Sequence, residues 1–145
     1  MNESDFARGR DFVASQLGSL GVRLIRDVSR DDQPFGNAYA DFGGPHMCLR
    51  LLSDRGDLYL QISSVQDLDQ YGESSHWYPL EGVVEFLCGE RAGQPLNLST
   101  LAVEIQLTRE HWPALSQLFV EWPASKKRLD GFLLRRFDEA TRTTY

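Results

Sequence analysis

The side chains best suited to recognition chemistry lie in one polar stretch of this sequence, residues 66–76, and in the aromatic residues that follow it. We expect six of them to contact a partner: Asp67, Asp69, Tyr71, Glu73, His76 and Trp77. Interleaved acids can pair with Lys or Arg, while aromatic rings supply flat contact area at low entropic cost, as in protein interfaces. The alternative is a solvated surface loop that Trp77 anchors to the core.

Nucleophiles and metal ligands are sparse. The three histidines, His46, His76 and His111, fall on different predicted elements, so we predict no metal site. Cys48 or Cys88 could pair in space with a histidine as an activated nucleophile. Each cysteine lies in an apolar segment, however, so we predict that both are buried, reduced and inert.

Sequence motifs of the common catalytic scaffolds are missing. The chain has no G-x-x-x-x-G-K-[ST], G-x-G-x-x-G, H-E-x-x-H or G-x-S-x-G motif. We therefore predict a protein that is not an enzyme, with no catalytic residue and no cofactor. A small enzyme without a known motif stays open as a third class, and its sign would be a cleft holding a perturbed histidine or cysteine.

Charge is unevenly distributed along the chain. Residues 1–122 carry 9 basic and 18 acidic side chains, a net charge of −9, and residues 123–145 carry 6 basic and 3 acidic, a net charge of +3. An anionic body is a poor partner for nucleic acid, which needs a concentrated cationic face. A cationic protein is the better candidate partner.

Length and composition predict one globular domain over residues 1–145, with an apolar share of 41% and a charged share of 25%. The first residues are acidic where a signal peptide has basic ones, and no apolar run approaches a membrane span of ~20 residues. We expect a cytoplasmic protein with no membrane partner.

The pattern of apolar residues predicts an α+β fold. A first helix begins at Ser4 as N-cap and ends near Gly18 and Gly21. Four extended segments follow, formed by residues 22–25, 37–42, 46–52 and 58–63. They predict a four-stranded antiparallel meander whose best hairpin turns at Gly56 in the left-handed conformation.

Helices are predicted for the remainder of the chain. A short one spans Pro79 to about Leu87, and a last one spans Ser125 to about Thr141. Residues 96–108 fit both a strand and a helix, and we favour two helices over residues 96–122. The predicted architecture is thus an N-terminal helix, a four-stranded antiparallel meander, and three to four C-terminal helices packed on the sheet.

The run from Gly36 to Tyr78 resembles bacterial immunity proteins of polymorphic toxin systems, including those of contact-dependent growth inhibition. The similarity lies in an aromatic-rich strand, then two strands joined by a D-R-G turn over Leu49–Ser63, and then Trp77-Tyr78-Pro79-Leu80 entering a short helix. Leu115–Phe119 and Lys127–Leu129, in the predicted C-terminal helices, are similar in character.

This resemblance implies a non-enzymatic cytoplasmic protein that binds and neutralises the toxic domain of a cognate toxin. Many such toxins are cationic nucleases, which agrees with the cationic partner expected from the charge of the chain. It transfers no binding residue by position. The alternative is a secretion-system chaperone that holds an effector segment by β-augmentation or by burying its apolar residues. A chaperone is expected to be an obligate dimer, whereas an immunity protein is expected to be a monomer or weak dimer.

Overall fold

The chain folds as an antiparallel sheet with helices packed against one of its faces. The computed structural model describes residues 3–29, 38–54, 57–74, 76–88 and 101–142. In these residues the strands are β1 (Arg23–Ser29), β2 (Ala38–Gly43), β3 (Met47–Asp54), β4 (Asp57–Ser64) and β5 (Tyr78–Pro79). The helices are α1 (Glu3–Leu17), α2 (Leu80–Cys88), α3 (Leu101–Glu110), α4 (Trp112–Val120) and α5 (Ala124–Arg142).

The predicted α+β class and antiparallel meander are confirmed, but the strand count was wrong. The sheet has five strands in the order β1-β2-β3-β4-β5, with every neighbouring pair antiparallel. The added strand, β5, has only two residues, which is too short to show an alternating pattern. It is held because Tyr78 pairs with Ile62 and donates a hydrogen bond from its hydroxyl to Asp130 Oδ1 at 2.8 Å.

The C-terminal third is helical, as predicted. The segment that fits both a strand and a helix forms α3 from Leu101 onward. Its buried side chains Glu104, Ile105 and Thr108 share one helical face, and Val103 is exposed. Residues 96–100 and the turn residue Gly56 lie outside the described part of the chain. The prediction of Ser4 as N-cap was wrong, because α1 already begins at Glu3.

The core lies between the sheet and the helices. Alternate residues of the central strands point toward the helices, and they include Phe42, Leu49 and Ile62, each at most 1% exposed. These side chains belong to the same buried cluster as Leu17 of α1 and Phe119 of α4. Burying this face is what stabilises the helices on the sheet, since the hydrophobic effect is the dominant favourable term in folding.

The opposite side of the sheet, here called the outer face, carries two cross-strand rows. Residues directly opposite in antiparallel strands point to the same face. One row is Val28, Tyr39, Leu52 and Tyr59, which we call the aromatic row. The other row is Arg26, Asp41, Arg50 and Gln61. Charged and aromatic side chains are thereby placed side by side on one surface.

The two sheet edges differ in how they are protected. Beside the residues paired with β5, the Leu60 amide donates to Glu104 Oε1 of α3 at 3.2 Å, so a helix covers that edge. The other edge strand, β1, is interrupted by a register shift between Leu24 and Arg26. Bulges and covering helices are two ways in which proteins prevent an edge from pairing with another chain.

Within the described residues, no helix combines the length and apolarity needed to cross a membrane.

Candidate functional site

Asp41 is the centre of the candidate site on the outer face. The Asp41 residue is only 2% exposed, although its side chain lies on the sheet face opposite the helices. Arg50 on β3 binds it with two hydrogen bonds, Nε to Oδ1 at 2.7 Å and one terminal nitrogen to Oδ2 at 3.0 Å. This bidentate geometry is the strongest form of carboxylate–guanidinium pairing.

Arg26 on β1 completes the ion network. Its Nη1 lies 3.2 Å from Asp41 Oδ2 and 3.6 Å from Glu73 Oε1. Burial lowers the pKa of the Arg50 guanidinium, but the hydrogen bonds and charge of Asp41 outweigh this effect and the net direction is upward. Both carboxylate oxygens of Asp41 are therefore paired inside the protein, and the network links β1, β2 and β3 on the outer face.

Arg50 also lies between two aromatic rings. Its guanidinium carbon is 4.1 Å from the centroid of Tyr39 and 4.4 Å from that of Trp77. A guanidinium over a ring face is attracted by the ring quadrupole, by about 0.5–2 kcal/mol depending on exposure. Trp77 is thus held on the outer face by Arg50, and its buried Nε1 has no hydrogen-bond partner among the described residues.

The aromatic row extends from this cluster toward the β3–β4 hairpin. Tyr39 and Leu52 are half-buried, and Tyr59 is more exposed. Beyond them, Asp54 and Asp57 lie opposite each other in the β3–β4 register, at the end of the hairpin. They place two carboxylates on the same face. The result is an aromatic surface with acidic groups at its border.

The predicted site residues Asp69, Tyr71 and Glu73 come together in one closed turn next to Arg26. Asp69 accepts hydrogen bonds from the amides of Tyr71 and Glu73, and Arg26 donates to the Tyr71 carbonyl. Trp77 joins the same surface through Arg50. Four of the six predicted residues therefore border the outer face.

The other two predicted residues are placed differently. Asp67 is partly buried and accepts a hydrogen bond from Trp122 Nε1 at 3.2 Å, with Lys126 Nζ at 3.9 Å. It connects the 65–77 segment to the helices. His76 is exposed, and its carbonyl accepts hydrogen bonds from the hydroxyls of Ser63 and Ser74. Asp67 and the His76 carbonyl thus tie the stretch to the rest of the protein, an arrangement that both the predicted interface and the alternative of an anchored surface loop allow.

Sequence reasoning missed Asp41, Arg50, Arg26 and Tyr39, which form the centre of the site. A signal was present, because Asp41 and Arg50 are single charges inside otherwise apolar strands. Once the hairpins fix the register, the two residues must face each other. Charges of opposite sign at opposed positions of neighbouring strands are the pattern that would have identified them.

The prediction for the cysteines is half right. Cys48 is buried at an outer-face position, and burial raises the pKa of its thiol to about 11, with the Asp41 charge acting in the same direction and Arg50 against it. Cys88 is exposed, because it is the last residue of α2, and its Sγ lies 4.0 Å from His111 Nε2. The prediction that Cys88 is buried was wrong.

These environments predict different thiol reactivities. With a chromogenic aromatic disulfide at neutral pH, we expect one thiol per folded chain to react promptly and the second only after unfolding, because a thiolate must form and be reached. Cys88→Ser is expected to abolish the prompt reaction, and Cys48→Ser to leave it. Two prompt thiols, or prompt reaction of the Cys88→Ser variant, would contradict the burial of Cys48.

Among the described residues, no group of three or more His, Cys, Asp or Glu side chains is arranged to hold a metal ion.

A cleft of about 340 Å³ lies between α2, α4 and α5, lined by Phe86, Leu87, Leu118, Glu121, Arg128 and two further residues. The cleft contains none of the six predicted site residues. The outer face is thus where the recognition chemistry of the described chain concentrates.

Comparison with known proteins gives no relative: no family model matches the chain, and neither the curated proteins nor the solved structures contain a match.

Proposed function

We propose that this protein is an immunity protein that binds and neutralises the toxic domain of a cognate bacterial toxin in the cytoplasm. The observation that carries the proposal is the outer face, where Arg50 is stacked between Trp77 and Tyr39, a member of the aromatic row. Tyr, Trp and Arg are the residues in which the binding energy of protein interfaces concentrates. The bidentate Asp41 pair holds this cluster in place before any partner arrives.

Preorganisation favours a binding role for the cluster. Association is opposed by the ordering of side chains at the interface, by about 0.5–1.5 kcal/mol for each flexible one. Arg50 is already fixed between two rings and one carboxylate, so most of that cost is met during folding. A partner that docks here gains contact area without ordering the arginine.

Charge favours a cationic partner. Asp54 and Asp57 lie at one border of the aromatic row, and Glu73 lies beside Arg26 at the other side of the face. The whole chain carries a net charge of −6. Opposite charges on the two partners accelerate encounter and disfavour wrong partners. A cationic toxin domain, such as a nuclease with a phosphate-binding surface, meets this requirement.

The two sheet edges weigh against the chaperone alternative in its β-augmentation form. Glu104 of α3 occupies the β4 edge at Leu60, and the register shift at Leu24 and Arg26 interrupts the β1 edge. Adding an extended effector strand needs an uninterrupted row of free amides and carbonyls. The outer face of the sheet, rather than its edges, therefore favours a binding role.

The test is direct binding and growth rescue with the toxic domain encoded beside this gene. We expect wild-type protein to restore growth of cells that express that domain, and Leu52→Lys, in the middle of the aromatic row, to weaken binding at least tenfold, which corresponds to ~1.4 kcal/mol. Val120→Lys adds the same charge at an exposed position of α4 and is the matched control, expected to change affinity by less than about twofold.

The outcomes distinguish an error in the proposed function from an error in the proposed interface. If the wild type neither binds nor rescues, the immunity proposal is wrong. If the wild type binds and Leu52→Lys behaves like Val120→Lys, the interface lies elsewhere. Thermal unfolding of both variants verifies that each is folded, because only a folded variant reports on the interface.

A further inference from the structure

Tyr71 stands at the tip of a turn that the fold holds rigid. Its side chain is 73% exposed, the largest value among the exposed large hydrophobic residues of the described chain. Burial in this chain does not explain the ring, since most of its surface remains in water. A rigidly presented aromatic side chain is instead typical of a binding anchor.

Hydrogen bonds within the turn fix its shape. Asp69 Oδ1 accepts from the Tyr71 amide at 2.8 Å and from the Glu73 amide at 3.0 Å. The Asp69 amide donates to the Glu73 carbonyl at 2.7 Å, and Gly72 donates to the Asp69 carbonyl at 3.0 Å. Gly72 has a φ of 75°, a conformation that glycine adopts without strain. Leu68 and Ser74 pair at the base of the turn and close it.

Arg26 fastens the turn to the sheet. One terminal nitrogen donates to the Tyr71 carbonyl at 2.9 Å, while the other lies 3.2 Å from Asp41 and 3.6 Å from Glu73. The tip is thereby connected to the most buried charge of the outer face. The backbone under Tyr71 is ordered before binding, so little conformational entropy remains to be lost there.

We propose that Tyr71 is the anchor of the interface and that it inserts into a concave, cationic cleft of the toxin domain, of the kind that binds phosphate. This inference rests on the proposed function. A turn that presents one exposed ring fits a concave surface better than a flat one. The long loops of some binding proteins insert into concave surfaces in the same way. Asp69 and Glu73 belong to the same exposed turn as Tyr71, so two acidic residues would approach a cationic cleft together with the ring.

The first experiment measures binding kinetics of Tyr71→Ala with the toxic domain encoded beside the gene. We expect affinity to fall about thirtyfold, mainly through faster dissociation, because truncation of an anchor acts on the bound state. Leu134→Ala removes a side chain of comparable exposure, 64%, from α5 and is the matched control. Its affinity is expected to stay within about twofold of the wild type.

A second pair of variants separates the turn from its charge. Asp69→Asn keeps an oxygen acceptor and removes the charge, so we expect slower association and preserved amide protection at Tyr71 and Glu73. Asp69→Ala removes the acceptor as well, so amide exchange at both positions and dissociation should both accelerate. Faster exchange without a change in dissociation would assign Asp69 a structural role only and would contradict the need for a rigid anchor.

Competition tests the cleft. Tripolyphosphate is expected to displace the wild-type protein from the toxin domain more strongly than sodium chloride at equal ionic strength, because it occupies the same cationic cleft. Equal effects of the two salts would contradict the proposal that the ring inserts into a phosphate-binding cleft. Wild-type binding with unchanged Tyr71→Ala affinity would overturn the anchor and leave the immunity function standing, whereas failure of the wild type to bind would overturn both.

Discussion

Replacing Asp41 with alanine is expected to lower the free energy of unfolding by about 3 kcal/mol. The deletion leaves Arg50 without its bidentate partner and removes the ion pair of Arg26. Removing one member of a buried ion pair costs about 3–5 kcal/mol, because the remaining charge is uncompensated. Both arginines keep some contact with solvent, which places the expectation at the lower end of that range.

Chemical denaturation at pH 7 measures this loss. Asp57→Ala is the matched control, since it deletes the same group from an exposed position on β4 of the same sheet, and it is expected to change stability by no more than about 0.5 kcal/mol. The double variant Asp41→Ala, Arg50→Leu removes the uncompensated charge of Arg50 and should recover part of the loss. Together with the Arg50→Leu single variant, it gives a coupling energy between the two sites. A loss below about 1 kcal/mol in Asp41→Ala would show that the network contributes little to stability.

The same variant also connects stability to the site. Arg50 is positioned by Asp41 and in turn positions Tyr39 and Trp77. Without the carboxylate, the guanidinium loses its fixed orientation and the two rings lose their common partner. The arrangement of the proposed binding surface and the stability of the outer face therefore depend on the same carboxylate.

Strands β1 to β4 could be predicted because their information is local. Alternating apolar residues and the turn residues around Gly43 and Asp54 locate β2, β3 and β4 to within two residues at each end, whereas the first segment was predicted at residues 22–25 and β1 extends to Ser29. β5 could not be found in this way, since its two residues carry no period. It exists because Tyr78 meets Ile62 on one side and Asp130 on the other, and both contacts are distant in sequence.

Long-range contacts also account for features that the local sequence pattern could not show. Asp67 looks like a solvated acid in sequence, but it meets Trp122 and Lys126, which lie more than fifty residues away. Cys88 follows apolar residues, yet α2 ends there and nothing in the local pattern indicates that the helix end is exposed. The acidic and aromatic content of the turn around Tyr71 was visible, whereas the fixation of that turn by Arg26 depends on the folded sheet.

The second large expected effect is a dependence of the free energy of unfolding on pH, and it comes from Glu104. This residue is 4% exposed, and its carboxyl accepts a hydrogen bond from the Leu60 amide at 3.2 Å. Burial raises the pKa of Glu104 from 4.5 to about 8, the hydrogen bond from Leu60 acts in the opposite direction, and the charge of Glu81 adds to the rise. At neutral pH the folded protein therefore holds this carboxyl mostly protonated at the β4 edge.

The sign of the effect follows from the raised pKa. Below about pH 4.5 the carboxyl is protonated in both states, and its contribution to stability is fully present. As pH rises toward 8 the unfolded chain releases the proton and the folded chain retains it, so the free energy of unfolding falls. Above about pH 8 both states are ionised and the loss is complete, on the order of 3–5 kcal/mol at ~1.36 kcal/mol per pKa unit.

Glu104→Gln isolates this contribution, because the amide keeps an oxygen acceptor for Leu60 and does not titrate. We expect the variant to match the wild type near pH 5 and to exceed its stability by several kcal/mol, on the order of 3–5, at pH 9. Glu104→Ala also lacks the titration but leaves the Leu60 amide unpaired, so it should be less stable than Glu104→Gln at every pH. Unfolding curves measured from pH 5 to 9 test both expectations, and amide exchange at Leu60 reports the edge directly. Parallel pH profiles for wild type and Glu104→Gln would show that the folded protein ionises Glu104 as readily as the unfolded chain does.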